Sequence, residues 1–312
     1  MTGFLGQLGQ KLAERWLTLL VLPGALYLAA VACARALGQT HPVAVGRVSG
    51  RITTWSHSRT AATTAGQVLL LAGILAGAAA AGLAAQALGS AIERGALAAD
   101  WGQWPFPARN LGAWRTASRR ARWEAVHKEY SDLYRAAARP GATVTDEDRD
   151  RRLAAWHGRT RIAAECPQRP TWSGDRINAA AVRLKRDRHL DMGTLWPHLW
   201  LTMPETTRTQ ITDARQDLTR ATALGGWAVL YAALTWWWWP AAVLAAVLAT
   251  VARHRIRAAT DTYATLLEAA ARLHTGELAA ALGVSDVDST GAESGDVVMS
   301  LLRPLPPPLV GD

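Results

Sequence analysis

The chain has 312 residues, a formal net charge of +9, 50% hydrophobic residues and only 19% charged ones. That composition excludes intrinsic disorder and a collagenous repeat, and two cysteines exclude a disulfide scaffold. The charges are also too unevenly spread for a wholly soluble chain.

Uncharged stretches run from Trp16 to Ala34, from Thr60 to Ile92 and from Ala221 to Ala252, with lengths of 19, 33 and 32 residues. A helix of about 20 apolar residues crosses a bilayer, so each stretch is a candidate span. Arginine outnumbers lysine 31 to 3 and alanine is abundant, a coding bias of high-GC bacterial genomes.

The first stretch has the basic start of a signal peptide, Lys11 and Arg15, and Ala32-Cys33-Ala34 imitates a cleavage site. Its uncharged run is longer than the usual signal core of about 7–15 residues, so a retained helix over about 16–36 is expected. Pro23-Gly24 inside it would only kink a spanning helix. Cys33 and Cys166 give no disulfide framework.

The second span is expected over about 67–90, closing an N-terminal transmembrane pair in residues 1–92. Gly73 and Gly77 form a small-xxx-small pair, which lets helix backbones approach closely in lipid. Genome bias toward alanine and glycine explains the same residues equally well.

The third stretch would make roughly 48 Å of helix, too much for one upright crossing of about 30 Å. Trp236, Trp237, Trp238 and Trp239 stand just past its middle, before Pro240. Tryptophan prefers the membrane–water interface, so the spacing predicts a transmembrane or re-entrant hairpin over 221–252 with those four residues as interfacial anchors. Its halves, Ala221–Trp238 and Trp239–Ala252, are short, and the second is expected to be tilted, re-entrant or set in a thinned bilayer. With four spans, ten basic residues flank one side and four the other; with three spans the count is seven to seven. The positive-inside bias therefore predicts four spans in the bacterial plasma membrane, with both termini cytoplasmic.

Residues 93–220 hold 23 basic and 16 acidic residues and read as an all-helical cytoplasmic domain between spans 2 and 3. Trp123, Val126, Tyr130, Leu133 and Ala137 recur at helical spacing up to the breaker Arg139-Pro140-Gly141. A second helix should start at Thr145, with Asp148 at capping-box spacing and a stripe of Leu153, Trp156, Thr160 and Ala163. Ser173 is a plausible N-cap for a third. The run Leu195–Leu201 is too short to span; it fits either core packing or a helix on the bilayer surface. A helix from Glu205 is expected to continue into the third stretch.

Arg253, Arg255 and Arg257 form a juxtamembrane cluster suited to anionic lipid, each worth about 1 kcal/mol of attraction. They open an expected amphipathic helix over 253–283, with Ile256, Tyr263, Leu266, Leu267, Ala270 and Leu273 on one face. Residues 284–312 are polar and then proline-rich, and predict a disordered tail with polyproline character.

No HExxH, GxSxG, Walker A or Rossmann glycine pattern occurs, so neither an enzyme nor a cofactor or metal site is expected. Asp187, His189 and Asp191 read as a solvated helix end. The clusters Arg119, Arg120, Arg122 and Lys185, Arg186, Arg188 are interspersed with acids nearby, which disfavours nucleic acid as a partner. The three apolar stretches hold no acid, lysine or arginine, which disfavours a proton-coupled transporter.

The segments Pro170-Thr-Trp-Ser-Gly-Asp-Arg-Ile177, Leu195-Trp-Pro-His-Leu-Trp-Leu-Thr-Met-Pro-Glu205 and Gly226-Trp-Ala-Val-Leu-Tyr231 resemble those of multi-pass membrane proteins of high-GC Gram-positive bacteria. Those proteins share a TW-x-GDR segment, WP-x-LW and a tryptophan-rich double span. The resemblance covers roughly residues 165–283; it implies this architecture and carries no chemistry. The function expected is a membrane-anchored scaffold or sensor with a cytoplasmic protein partner. The alternative is an oligomeric membrane effector or channel, for which a homo-oligomer is the partner.

Overall fold

The computed structural model describes residues 21–39, 63–140, 145–284 and 292–303. Those residues are all-helical: α1 Leu22–Leu37, α2 Thr64–Leu97, α3 Ala108–Ala137, α4 Asp146–Ile162, α5 Trp172–Arg188, α6 Met192–Thr202, α7 Glu205–Leu234, α8 Pro240–Ala281 and α9 Ala292–Leu302, with a 3-10 turn at Trp101–Gln103. They form two compact units, 1–93 with 219–255 and 94–218 with 256–312.

In the first unit, successive helices alternate in direction. Gly226 of α7 lies against the Ala85 carbonyl of α2, and Gly89 lies against Ala223, where an added Cβ would come within 2.8 Å of backbone. Four residues farther along α2, Glu93 accepts from the Thr222 hydroxyl (3.4 Å), so α2 and α7 are antiparallel. Leu234 packs on Ala241, and Gly225 faces Ala252, which makes α7 and α8 an antiparallel hairpin. The helix α1 runs alongside α7 in the same direction: the Tyr27 hydroxyl donates to the Leu230 carbonyl (3.3 Å), and Ala34 joins the Leu234–Ala241 cluster. At its end, Gln39 Nε2 donates to the carbonyls of Thr235 and Trp236, both at 2.9 Å. Two otherwise unsatisfied hairpin carbonyls are thereby bonded.

The turn between α7 and α8 occupies residues 235–239, with Pro240 at the first helical position, where its missing N–H costs nothing. The third apolar stretch is thus two helices rather than one kinked helix. The helix α8 runs unbroken to Ala281 through the expected boundary at 252/253, and the compact units change at 255/256. Neither Gly nor Pro interrupts its sequence between Pro240 and Gly276.

One described helix, α2, is long and apolar enough to cross a membrane, while α1 is a shorter apolar helix of 16 residues. The expected span from residue 16 lies partly outside the described residues.

The second unit has its own core. Leu184, Leu190, Leu195, Leu199, Met203 and Ile211 pack with Leu267, Ala271, Leu278, Val298 and Met299, all at most 8% exposed. Leu195 and Leu199 are fully buried and Trp196 and Trp200 pack against this cluster, so α6 is a core helix and not a surface-lying one. Periodicity located the inward face of α3, with Trp123 buried and Val126, Tyr130, Leu133 and Ala137 half-buried. For α4 the stripe holds in part: Thr160 is half-buried and Ala163 buried, but Leu153 and Trp156 are exposed, while Ala155 is buried and Gly158 touches Val126. Thr145 caps α4 through a reciprocal capping box with Asp148.

Two further expectations are corrected. The cap of α5 is Thr171, which accepts from Gly174 N, while Ser173 is buried inside the first turn. Within the expected disordered tail, residues 292–302 form α9, docked through Val298 and Met299 onto the core of the second unit. Its two buried apolar side chains supply a reason to order that composition alone did not register. The proline-rich stretch from 304 lies outside the described residues.

Candidate functional site

The densest polar construction in the second unit is the irregular connection 163–171 between α4 and α5. It has two prolines and no regular hydrogen bonding, so its buried backbone groups need side-chain partners. They receive them from α3 and the 3-10 turn. Trp123 Nε1 donates to the Ala163 carbonyl (3.0 Å), Arg120 Nε to Pro167 (3.3 Å) and Trp101 Nε1 to Gln168 (3.1 Å).

Asp175, in the first turn of α5, closes the construction. Its Oδ1 accepts from the backbone N–H of Gln168 (2.9 Å) and Arg169 (2.8 Å). Its Oδ2 accepts from Arg119 Nη2 at 2.8 Å and Nε at 3.3 Å, and Arg119 Nη2 also donates to the Ile162 carbonyl (2.9 Å). The carboxylate is 3% exposed and the guanidinium 15%. Both carboxylate oxygens are engaged by charged or backbone donors, so the group is a fixed anchor with no face open for proton transfer.

The same connection grips the end of α2. The Thr171 hydroxyl donates to the Ala96 carbonyl (2.5 Å) and Arg169 Nη1 to Leu97 (3.2 Å). These are carbonyls that the helix end leaves unpaired. Burial pushes the Arg169 guanidinium below its ordinary range, and the charges of Asp175 and Asp100 oppose that shift.

A second set of charges joins α5 to α8. Arg176 Nε pairs with Asp261 (2.5 Å), Arg183 with Glu268 (2.5 Å) and Arg272 with Asp187 (3.1 Å). Partial burial would raise the Asp187 carboxyl, but hydrogen bonds from Arg186 and Arg272 outweigh it and hold it below the usual carboxylate range. His189 Nδ1 lies 3.0 Å from Asp296 of α9. Asp191 caps α6 through Thr194 N (3.0 Å) and Oγ1 (2.9 Å), bonds that lower its own affinity for a proton. Asp187, His189 and Asp191 thus face three different partners and do not converge.

The basic clusters are likewise spoken for in large part. Arg119 and Arg120 serve the 163–171 connection, Arg186 pairs with Glu165, and Arg188 donates to the Arg272 carbonyl. On α4, Arg159 lies 4.3 Å above the Trp156 ring and 5.5 Å from that of Tyr130.

Arg253 and Arg255 are exposed. Arg257 differs: its guanidinium stacks 4.4 Å over the Trp172 ring. In the hairpin turn, Trp236 is 82% exposed, and Trp237 and Trp239 are about half exposed. Trp238 turns inward against Ala34, Leu234 and Ala241. The two glycines singled out on α2 also part company. An added Cβ at Gly77 would meet Leu28 Cδ1 of α1 at 3.1 Å, whereas one at Gly73 would meet nothing within 4 Å. Close backbone approach falls instead at Gly24, Gly89 and Gly226, which no GxxxG pair marks.

No family model, curated protein or solved structure matches this chain. Among the described residues, no group of three or more His, Cys, Asp or Glu side chains is placed to hold a metal ion. The constructions above are built to hold helices together.

Proposed function

We propose that this chain is a multi-pass membrane protein, non-enzymatic, whose second unit is a cytoplasmic scaffold that receives a protein partner. The observation that carries the membrane reading is the surroundings of α2. Its apolar window has mean hydropathy 2.3, yet only 17% of that window is buried by the protein. Leu69 is 73% exposed, Leu71 60% and Ile74 51%, and residues 67–76 are exposed on every side. A helix that is apolar all round belongs in a core or in lipid, and no core of the described residues surrounds this one. Lipid removes the cost of that surface, which is about 25 cal/mol for each Å².

The alternating directions of α1, α2, α7 and α8 are compatible with four successive crossings, and the ten-to-four basic bias supports cytoplasmic termini. From Thr222 to Trp236 the hairpin rises about 21 Å, shorter than the ~30 Å hydrocarbon core.

Alkaline extraction of membranes, with topology reporters at Arg109 and at the C terminus, tests this reading. Retention in the membrane with both reporters cytoplasmic is the expected result. Release into the alkaline supernatant, or an external C-terminal reporter, would overturn it.

An oligomeric effector or channel is the second reading, and the open surface at Gly73 favours it. Intermolecular cross-links from that surface in membranes, abolished by Gly73→Ile, would put it ahead of the scaffold.

A further inference from the structure

The segment that follows α2 carries an exposed aromatic and basic surface that none of the constructions above uses. Phe106 is 77% exposed, Leu111 57% and Trp114 67%. Phe106 lies in the loop leading into α3. Leu111, Trp114 and Arg115 fall at i, i+3 and i+4 on one exposed face of α3, about 120° around the helix from the buried Gly112, Thr116 and Trp123. This surface is held firmly from behind. The Trp101 ring packs beneath Gly112, where a Cβ would lie 3.2 Å from it, and its Nε1 is bonded to Gln168. On that buried face the Thr116 hydroxyl donates to the Gly112 carbonyl (2.9 Å) and Trp123 Nε1 to the Ala163 carbonyl (3.0 Å).

Charge on this segment has one sign. From Trp101 to Trp123 there are five arginines and no acid, with Asp100 and Glu124 just outside that stretch. Arg119 and Arg120 are used internally, and Arg122 bonds within its own helix to Ser118. Arg109 and Arg115 are exposed.

We propose that Phe106, Leu111 and Trp114, with Arg115, form an anchor that inserts into the headgroup region of an anionic lipid leaflet. The proposal rests on the reading of α2 as a membrane span. The uncharged run of α2 ends at Ile92, five residues before Leu97, or about 7.5 Å of helix. The headgroup zone adds about 5–7 Å on each side of the hydrocarbon, so the last turn of α2 emerges there and the loop starts at that depth. Aromatic rings with a polar or basic neighbour are the side chains that this zone favours. Arginine complements phosphate headgroups, each contributing about 1 kcal/mol near such a surface. A protein partner would need an acid to meet the same arginine while also covering Phe106 and Trp114. Lipid supplies both from one continuous surface at the place where the chain leaves it.

The test uses the full chain with Cys33→Ala and Cys166→Ala, reconstituted in vesicles of equimolar phosphatidylcholine and phosphatidylglycerol. Single cysteines replace Phe106, Trp114, Leu71 or Tyr134 and carry a nitroxide label. The readout is the accessibility of the label to oxygen relative to a water-soluble nickel chelate. Labels at 106 and 114 should show a ratio several-fold above that at 134, with 71 higher still. In pure phosphatidylcholine, or with Arg115→Gln, the ratios at 106 and 114 should fall toward the value at 134. If 71 is lipid-exposed while 106 and 114 match 134, the anchor is overturned and the span stands. If 71 itself is aqueous, the membrane reading fails first. Labels at 106 and 114 shielded from both reagents would mean a protein contact and overturn the anchor.

Discussion

Arg119 and Asp175 meet at 2.8 Å across 56 positions of sequence, and that one ion pair ties α3 to α5 while Asp175 also caps the backbone of the 163–171 connection. Removing one member of a buried pair strands the other, at a cost of about 3–5 kcal/mol. Asp175→Ala should therefore lower the thermal midpoint of the detergent-solubilised chain strongly. Asp175→Asn should lower it less, because an amide oxygen can still accept from Gln168 and Arg169. Equal midpoints for the two variants would show that the acceptor for Gln168 and Arg169 contributes nothing beyond the charge.

Acid should act through Asp187 and Asp191, whose carboxyls are held below the usual range by Arg186 and Arg272 and by Thr194 respectively. A depressed folded-state value means stability present above the unfolded value of about 4 and lost as pH falls through the folded one. Thermal midpoints measured from neutral pH downward should drop below about pH 4. The Asp187→Asn, Asp191→Asn variant should start lower at neutral pH and show a shallower acid loss. A parallel curve would remove these two groups from the account.

Two glycines of the apolar helices should respond oppositely to the same change. Gly226 faces the Ala85 backbone, so Gly226→Val forces α7 from α2 and should cost about 1–3 kcal/mol. Gly73 faces open space, and Gly73→Val should leave the stability of the monomer in detergent unchanged or slightly raised. Comparison of the two melting curves decides the matter.

The basic cluster should divide in the same way. Arg257 stacks on Trp172, a cation–π contact worth about 0.5–2 kcal/mol. Arg257→Gln should destabilise the second unit. Arg253→Gln with Arg255→Gln should leave melting unaltered and weaken only the salt-sensitive attraction to anionic vesicles. Identical behaviour of the three positions in both assays would contradict the division.

Much of the helical architecture was legible because periodicity records which faces avoid water. The stripe from Trp123 to Ala137, the capping box at Thr145 and the tryptophan turn before Pro240 are local features, and local spacing suffices to find them. Two local signals misled. Ser173 is as good a cap by type as Thr171, but only Thr171 also reaches the Ala96 carbonyl. Leu153 and Trp156 belong to a stripe by hydropathy, yet α4 buries Ala155 and leaves both of them exposed.

By itself the sequence determined that the chain is helical, where its uncharged runs lie and where the chain reverses at the tryptophans, since each of these follows from neighbours within a few residues. Tertiary structure alone decided that Asp175 anchors to Arg119, that Gly226 rather than Gly73 carries a close backbone approach, and that 292–302 folds onto the core. Each joins residues far apart in the chain, where the pairing depends on which surfaces fit and which buried polar groups still lack a partner.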